Sequence, residues 1–358
     1  MKLNHVFVVA AAAAALSAAA QQPLTVANFG GANGKAQEVA FLAPFTRSTG
    51  IPARGVEYTG DMAALRAMVK ERKIEWDVVE VESADLKPGC DAGLFERVER
   101  SSLSQAGMLL PGTVQECGVG AFVWSTVMAY DTTRFKEPPR NWKDFWDVQR
   151  FPGKRGLRKG ARYNLEIALM ADGVPRYEVY AALATEAGIK RALTKLEALK
   201  PHIVWWESGS QPPKRLAAGE TSMSTAFNGR IAAANRDGVV PLGIAWSDAI
   251  YELDYWAIVK GSPRREQARA FINFATSEEA QLAFSREIPY GPTHMNAIMR
   301  YDTGRARPAV GAHVADLSMA SSDLPSAPGN MRRALAFNAG FWTTHGTALE
   351  SRFAQRMN

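Results

Sequence analysis

Cysteine, histidine and glycine supply the first candidates for chemistry, and most of them lead away from catalysis. Cys90 and Cys117 are the two cysteines of the chain. They form no C-x-x-C redox pair, so one structural disulfide is expected if the chain reaches an oxidising compartment. His5, His202, His294, His313 and His345 show no metal-ligand spacing. A G-x-S-x-G elbow, an S-x-x-K pair and an H-E-x-x-H helix are all missing from the sequence, which removes the common hydrolase signatures. Gly30-Gly31-Ala32-Asn33-Gly34 has neither dinucleotide nor P-loop spacing. It suits a tight turn, or backbone N–H groups brought close to a ligand. Carboxylates are plentiful, but sequence does not place two of them about one bond, so a glycosidase stays as the enzymatic alternative.

The compartment is readable from the start of the chain. Residues 1–20 combine Lys2, an apolar run from Val6 to Leu16 and small residues at Ala18 and Ala20. This is the layout of a cleaved secretory signal, with a mature end near Gln21. The apolar run is shorter than the ~20 residues that span a bilayer. No Cys follows to carry a lipid, so the product is expected in a space such as the bacterial periplasm. The remainder exceeds the ~250–300 residues at which one hydrophobic core stops growing, so two lobes are expected. A formal charge of +6 is a mild excess. Its clusters, Lys154-Arg155 with Arg158-Lys159 and Arg264-Arg265, read as solvated faces, and no nucleic-acid-binding motif accompanies them.

The elements needed to position a site follow from periodicity. Leu24–Phe29 reads as a buried strand, the glycine segment as a loop, and Lys35–Thr46 as a helix. A second strand over Ala53–Tyr58 leads to Asp61, a good N-cap, and then to Met62, Leu65, Met68 and Val69 on one helical face. Trp76–Val81 follows as an apolar strand. The β-α-β-α-β order predicts parallel strands with ligands outside their carboxyl ends, near Phe29-Gly30, Tyr58-Thr59 and Glu82-Ser83. Gly120–Tyr130 is another strand, and Asp131-Thr132-Thr133 with Pro138-Pro139 marks a change of region. Alternating helices and strands then suggest a second α/β lobe over 131–250. Tyr251–Val259 returns to the first lobe, and helices from about Asn330 pack on the second.

Several segments in fixed order resemble one family. They are Val114-Gln115-Glu116-Cys117-Gly118-Val119-Gly120, the run Leu165 to Val174, Ala226-Phe227-Asn228-Gly229-Arg230, Asp254-Tyr255-Trp256-Ala257-Ile258, Ile288-Pro289-Tyr290-Gly291-Pro292 and Leu324-Pro325-Ser326-Ala327-Pro328. Together they resemble the periplasmic solute-binding proteins of ABC importers, in the branch related to spermidine- and putrescine-binding proteins, over nearly the whole mature chain. The resemblance implies a type II two-lobed α/β fold, each lobe a mostly parallel sheet flanked by helices and joined to the other by hinge strands. It divides the chain into a signal (1–20), lobe 1 (21–130 and 251–300), lobe 2 (131–250) and C-terminal helices (301–358). It also implies closure on a small solute, handed to an inner-membrane permease, with no bond chemistry, no cofactor and a monomeric free state.

The family's site, carried over position by position, implies Phe29 as one aromatic wall, with Gly30 and Gly31 where a second aromatic is missing. Ser83 and Asp85 fall in the ligand-touching turn after the third strand. Phe227 stands at a stacking position, Tyr290 at another wall, and Asp254 at the amine-pairing acid, with Glu252 replacing an aromatic two residues before it. An ammonium needs such a carboxylate and aromatic faces for its methylenes. Phe227 also suits a core position, Arg230 an ion pair and Asp254 a turn cap. Lys159-Gly160-Ala161-Arg162-Tyr163 lacks the second acid pair that polyamine binders use. Arg162 or Arg230 could then meet a carboxylate, favouring an ω-amino acid such as a γ-aminobutyrate-like solute. Of Trp205 and Trp206, one is expected to face the cleft, and Ser208 to Gln211 to offer donors beside it. The rivals are a ferric-iron or inorganic-anion binder on the same fold, although Tyr290 has no Tyr neighbour, and a secreted hydrolase.

Overall fold

A single mixed sheet runs through the molecule, in a computed structural model that describes residues 22–238, 240–302 and 323–357. The expected signal, 1–20, and much of the stretch after 301 lie outside the described residues. The strands are β1 (Leu24–Asn28), β2 (Ala53–Glu57), β3 (Val78–Glu82), β4 (Val119–Asp131), β5 (Arg155–Arg158), β6 (Ile203–Trp206), β7 (Met223–Phe227), β8 (Leu242–Ile258) and β9 (Leu335–Ala336). Their order is β2-β1-β3-β8-β4-β7-β5-β6, with β9 beside β8.

Two lobes follow from that order. Strands β1, β2 and β3 pair in parallel in one lobe, and β5 pairs in parallel with β6 and β7 in the other. The connection between them is antiparallel. The 13-residue β4 and the 17-residue β8 lie side by side through both lobes, Val119 opposite Trp256 at one end and Asp131 opposite Leu242 at the other. Midway the register jumps from Thr126–Ile250 to Met128–Ala245, a bulge near which Asp248 takes φ 56°. β4 begins to pair with β7 at Thr126. Bulged antiparallel strands of this kind bend more readily than the packed parallel arrays on either side.

Three local expectations change. The glycine segment is no loop, because the helix starts at Gly31 and continues through a π-helical stretch at Glu38–Leu42 to Thr49. Gly30 turns the chain out of β1 with φ 57°, which leaves Asn33 on the first helical turn. Of the basic clusters, Arg155 is fully buried rather than solvated. It donates to the carbonyls of Phe145, Gly153 and Phe151, and burial lowers its pKa to about 10. Arg264 ion-pairs with buried Asp77 at 3.3 Å. Neither adjacent tryptophan faces the cleft: Trp206 is buried with its edge on Phe227, and Trp205 packs on Phe353.

That Phe353 belongs to the C-terminal helix, Ala339–Met357. Trp342 of this helix donates to buried Glu166 at 2.6 Å, and Arg352 pairs with Glu186 at 2.8 Å, which fixes it to the second lobe. It also lies against the helix Ser83–Asp91 of the first. Cys90 and Cys117 form the expected disulfide, tying that same helix to the start of β4. No described helix is long and apolar enough to cross a membrane.

Candidate functional site

The centre of the sheet carries an unusual run of acids. β3 sends Val79 and Val81 to one side and Glu80 and Glu82 to the other, by the period of two. In the ladder Glu82 stands directly opposite Asp254 of β8, and Glu252 lies two residues along on the same face. β4 sets Phe122 opposite Asp254 and Trp124 opposite Glu252. Glu80, Glu82, Glu252 and Asp254 are all buried. Like charges directly across a sheet repel, so each must be answered by a cation, a donor or a proton.

The answers differ. Arg158, at the end of β5, donates to Glu82 at 2.8 Å. Glu252 accepts from the backbone and hydroxyl of Ser83 at 3.0 and 2.6 Å, and from the Tyr163 hydroxyl at 2.5 Å. Burial, with Glu82 nearby, pushes its pKa up to about 8. Glu80 accepts from Asn33 at 2.9 and 3.0 Å and from Gln37 at 2.6 Å. Asp254 accepts from the Trp124 indole at 2.8 Å and shares its face of the sheet with Glu80, one pair along the ladder. Burial and then the Glu80 charge hold Asp254 well above the usual carboxylate range, and burial also raises Glu80.

Around this acid pair is a cavity between the lobes. Its walls include Phe29 stacked on Tyr58 with ring centres 5.1 Å apart, Tyr290 stacked on Phe122 at 5.1 Å, and Phe227 edge-on to Trp124 at 4.8 Å. Ser208 and Gly209 line it from the loop after β6. The guanidinium of Arg158 lies 5.8 Å from the centre of the Phe227 ring. Arg230, at the start of the helix Asn228–Arg236, is 5% exposed and also lines the cavity. Its Nη1 and Nη2 donate to the carbonyls of Gly30 and Phe29 at 2.7 and 3.0 Å, while its buried Nε has no partner. A Cβ on Gly31 would sit 2.4 Å from that Nη1, so glycine is what admits the arginine here.

Of the residues marked in the sequence, Phe29, Ser208, Phe227, Arg230, Asp254 and Tyr290 meet at this cavity. Gly30 is its turn, and Gly31 lines a separate groove beside it. Ser83 and Glu252 bond to each other behind the wall. Asp85 and Arg162 face one another at the mouth, where Arg162 donates to both carboxylate oxygens at 2.9 and 2.8 Å. Sequence reasoning passed over Glu80, Trp124 and Arg158 as site residues, and marked Glu82 only as the start of the turn after the third strand. Two acids at alternate positions of an otherwise Val-only strand, Val78-Val79-Glu80-Val81-Glu82, were the available signal.

This arrangement encloses a charged and aromatic space between two lobes. Residues 40–299 match the family of bacterial extracellular solute-binding proteins. The chain belongs to that family. A gamma-aminobutyric acid-binding protein from Pseudomonas aeruginosa is 49% identical to this solute-binding protein over 340 residues, 94% of this chain and 92% of the relative. Among solved structures, MotA from A. tumefaciens B6 in complex with glucopine superposes with a TM-score of 0.84 at 28% identity, over 94% of this chain and all of that one. The Atu4243 GABA receptor gives 0.77 at 26% identity, over 94% of this chain and 98% of that one. Fold and family both make the protein a two-lobed binder of small solutes.

Proposed function

We propose that this solute-binding protein captures a γ-aminobutyrate-like ω-amino acid in the periplasm and delivers it to the permease of an ABC importer. The solute's ammonium is received by Asp254 and Glu80, its methylenes lie against Phe29, Phe227 and Tyr290, and its carboxylate is received by Arg158 and the open Nε of Arg230. The same reading keeps the division expected from the sequence, 21–130 with 251–300 as one lobe and 131–250, with the C-terminal helices of 301–358 packed on it, as the other.

One observation carries this reading: a single cavity is lined by a buried acid pair and by two arginines, one with a buried N–H that has no partner. A lone acid site would suit an amine, and a lone arginine site an anion. Both together suit a molecule with both charges. The name of the Pseudomonas relative supports the same choice. The spermidine and putrescine branch is a narrower placement than the family match, and a polyamine would set its second ammonium toward Arg158. For the ferric-iron alternative, the cavity-lining residues include Tyr58 and Tyr290 but no histidine.

Protein isolated from its native compartment and denatured should release a solute whose mass and fragmentation show one amine and one carboxylate. A polyamine, or an inorganic anion with no amine, would overturn the reading.

A further inference from the structure

The acid pair at the end of the cavity has no cation of its own. Glu80 and Asp254 are 1% and 4% exposed, lie diagonally across β3 and β8 on one face of the sheet, and both line the cavity. Two buried carboxylates on one face have only acceptors and repel each other, so a proton held between them relieves the charge. The groups facing the pair do not replace it. From the helix Gly31–Gln37 come the neutral amides of Asn33 and Gln37, from β4 the indole of Trp124, and from β3 and β8 the further acids Glu82 and Glu252. The Tyr58 hydroxyl is spent on the Glu80 carbonyl. Tyr290, within the fields of Arg230, Asp254 and Glu80, and the acid Glu57 also line the cavity. Arg230 is the cation whose field reaches Glu80, and its terminal nitrogens are held by Gly30 and Phe29.

We propose that Glu80 and Asp254 share one proton in the free protein and that the incoming ammonium displaces it, so that capture of the solute releases about one proton. The inference rests on the reading of the solute as an amine. An ammonium N–H takes the place of the shared proton between the two carboxyl groups, which then accept as a pair of carboxylates. The displaced proton leaves to solvent, and the solute keeps its own charge. Asn33 and Gln37 are positioning residues, since they aim Glu80 at Asp254 without entering the cavity's chemistry. The shared proton makes the pair selective. A neutral amine or alcohol cannot answer two carboxylates, so it leaves the proton in place and gains little.

Titration calorimetry of the native protein with γ-aminobutyrate, in buffers of different ionisation enthalpy, counts the protons directly. About one proton should be released per solute bound, and affinity should fall about tenfold per pH unit toward acid. In Glu80→Gln, binding should persist with neither release nor slope. Binding without proton release in the native protein, or release unchanged in Glu80→Gln, would overturn the proposal while leaving the solute reading intact. If γ-aminobutyrate gave no binding at all, the solute reading would fall instead. The proton would then be judged from the infrared spectrum of the free protein: a protonated-carboxyl carbonyl band lost in both Glu80→Gln and Asp254→Asn supports it, and a spectrum unchanged by either substitution rejects it.

Discussion

Arg162 holds Asp85 across the mouth of the cleft with both terminal nitrogens, at 2.9 and 2.8 Å, and reaches Glu82 at 3.5 Å. The backbone of Arg162 and Ala161 is in turn held by Glu350 of the C-terminal helix, at 3.2 and 2.8 Å. Both terminal nitrogens of Arg162 are thus engaged by acids of the other lobe in this structure. Its side chain is 25% exposed, so solvent weakens the pair without abolishing it. Arg162→Gln should favour the open form and weaken every solute alike, by about tenfold, the scale of a charge-assisted hydrogen bond. Small-angle scattering of the free protein should show a larger radius. A loss confined to solutes with a carboxylate would mean that Arg162 contacts the solute instead.

Arg158 carries the opposite expectation. Arg158→Gln should cost a carboxylate-bearing amine about 2–5 kcal/mol, the range for removing one side of a buried charge pair, and a plain alkylamine of equal length far less. Paired titrations of γ-aminobutyrate and butylamine read the difference. Equal losses would assign Arg158 to holding Glu82 alone.

Glu252 should make stability depend on pH. Its folded pKa of about 8 lies above the ordinary value of 4.5, so the folded state keeps the proton that the unfolded chain gives up. That contribution is fully present below about pH 4 and is lost as the pH rises through the folded value. Glu252→Gln should therefore flatten the fall in melting temperature between about pH 5 and pH 8, by several degrees at the upper end. A variant whose pH profile parallels that of the native protein would refute this.

The disulfide should stabilise the first lobe. Closing a loop with a sequence separation of 27 is worth about 3.5 kcal/mol in the chain-entropy picture. Cys90→Ser with Cys117→Ser should lower the melting temperature without changing which solutes bind. Altered solute preference would mean that the bridge shapes the cavity, as its attachment to the helix carrying Asp85 allows.

The sequence was most informative where one element suffices. The strand and helix order was legible because β-branched positions such as Val78, Val79 and Val81 and caps such as Asp61 act locally, and Asp61 does accept from Ala63 and Ala64. The helix at Gly31 was missed because its start depends on Gly30, whose carbonyl is clamped by Arg230 two hundred residues away. Arg158 was hidden among Lys154, Arg155 and Lys159, of which Arg155 is buried and the two lysines are exposed. That Glu80 and Glu82 share a face with Asp254, with Glu82 directly opposite it, is a matter of strand register between β3 and β8, which no spacing along the chain contains.

The central claim is that one cavity reads both ends of the solute, and calorimetry of the native protein with three ligands tests it most directly. γ-Aminobutyrate should bind at least about a hundredfold more tightly than putrescine, which lacks the carboxylate, and than butyrate, which lacks the amine. Putrescine binding as tightly as γ-aminobutyrate would contradict the account.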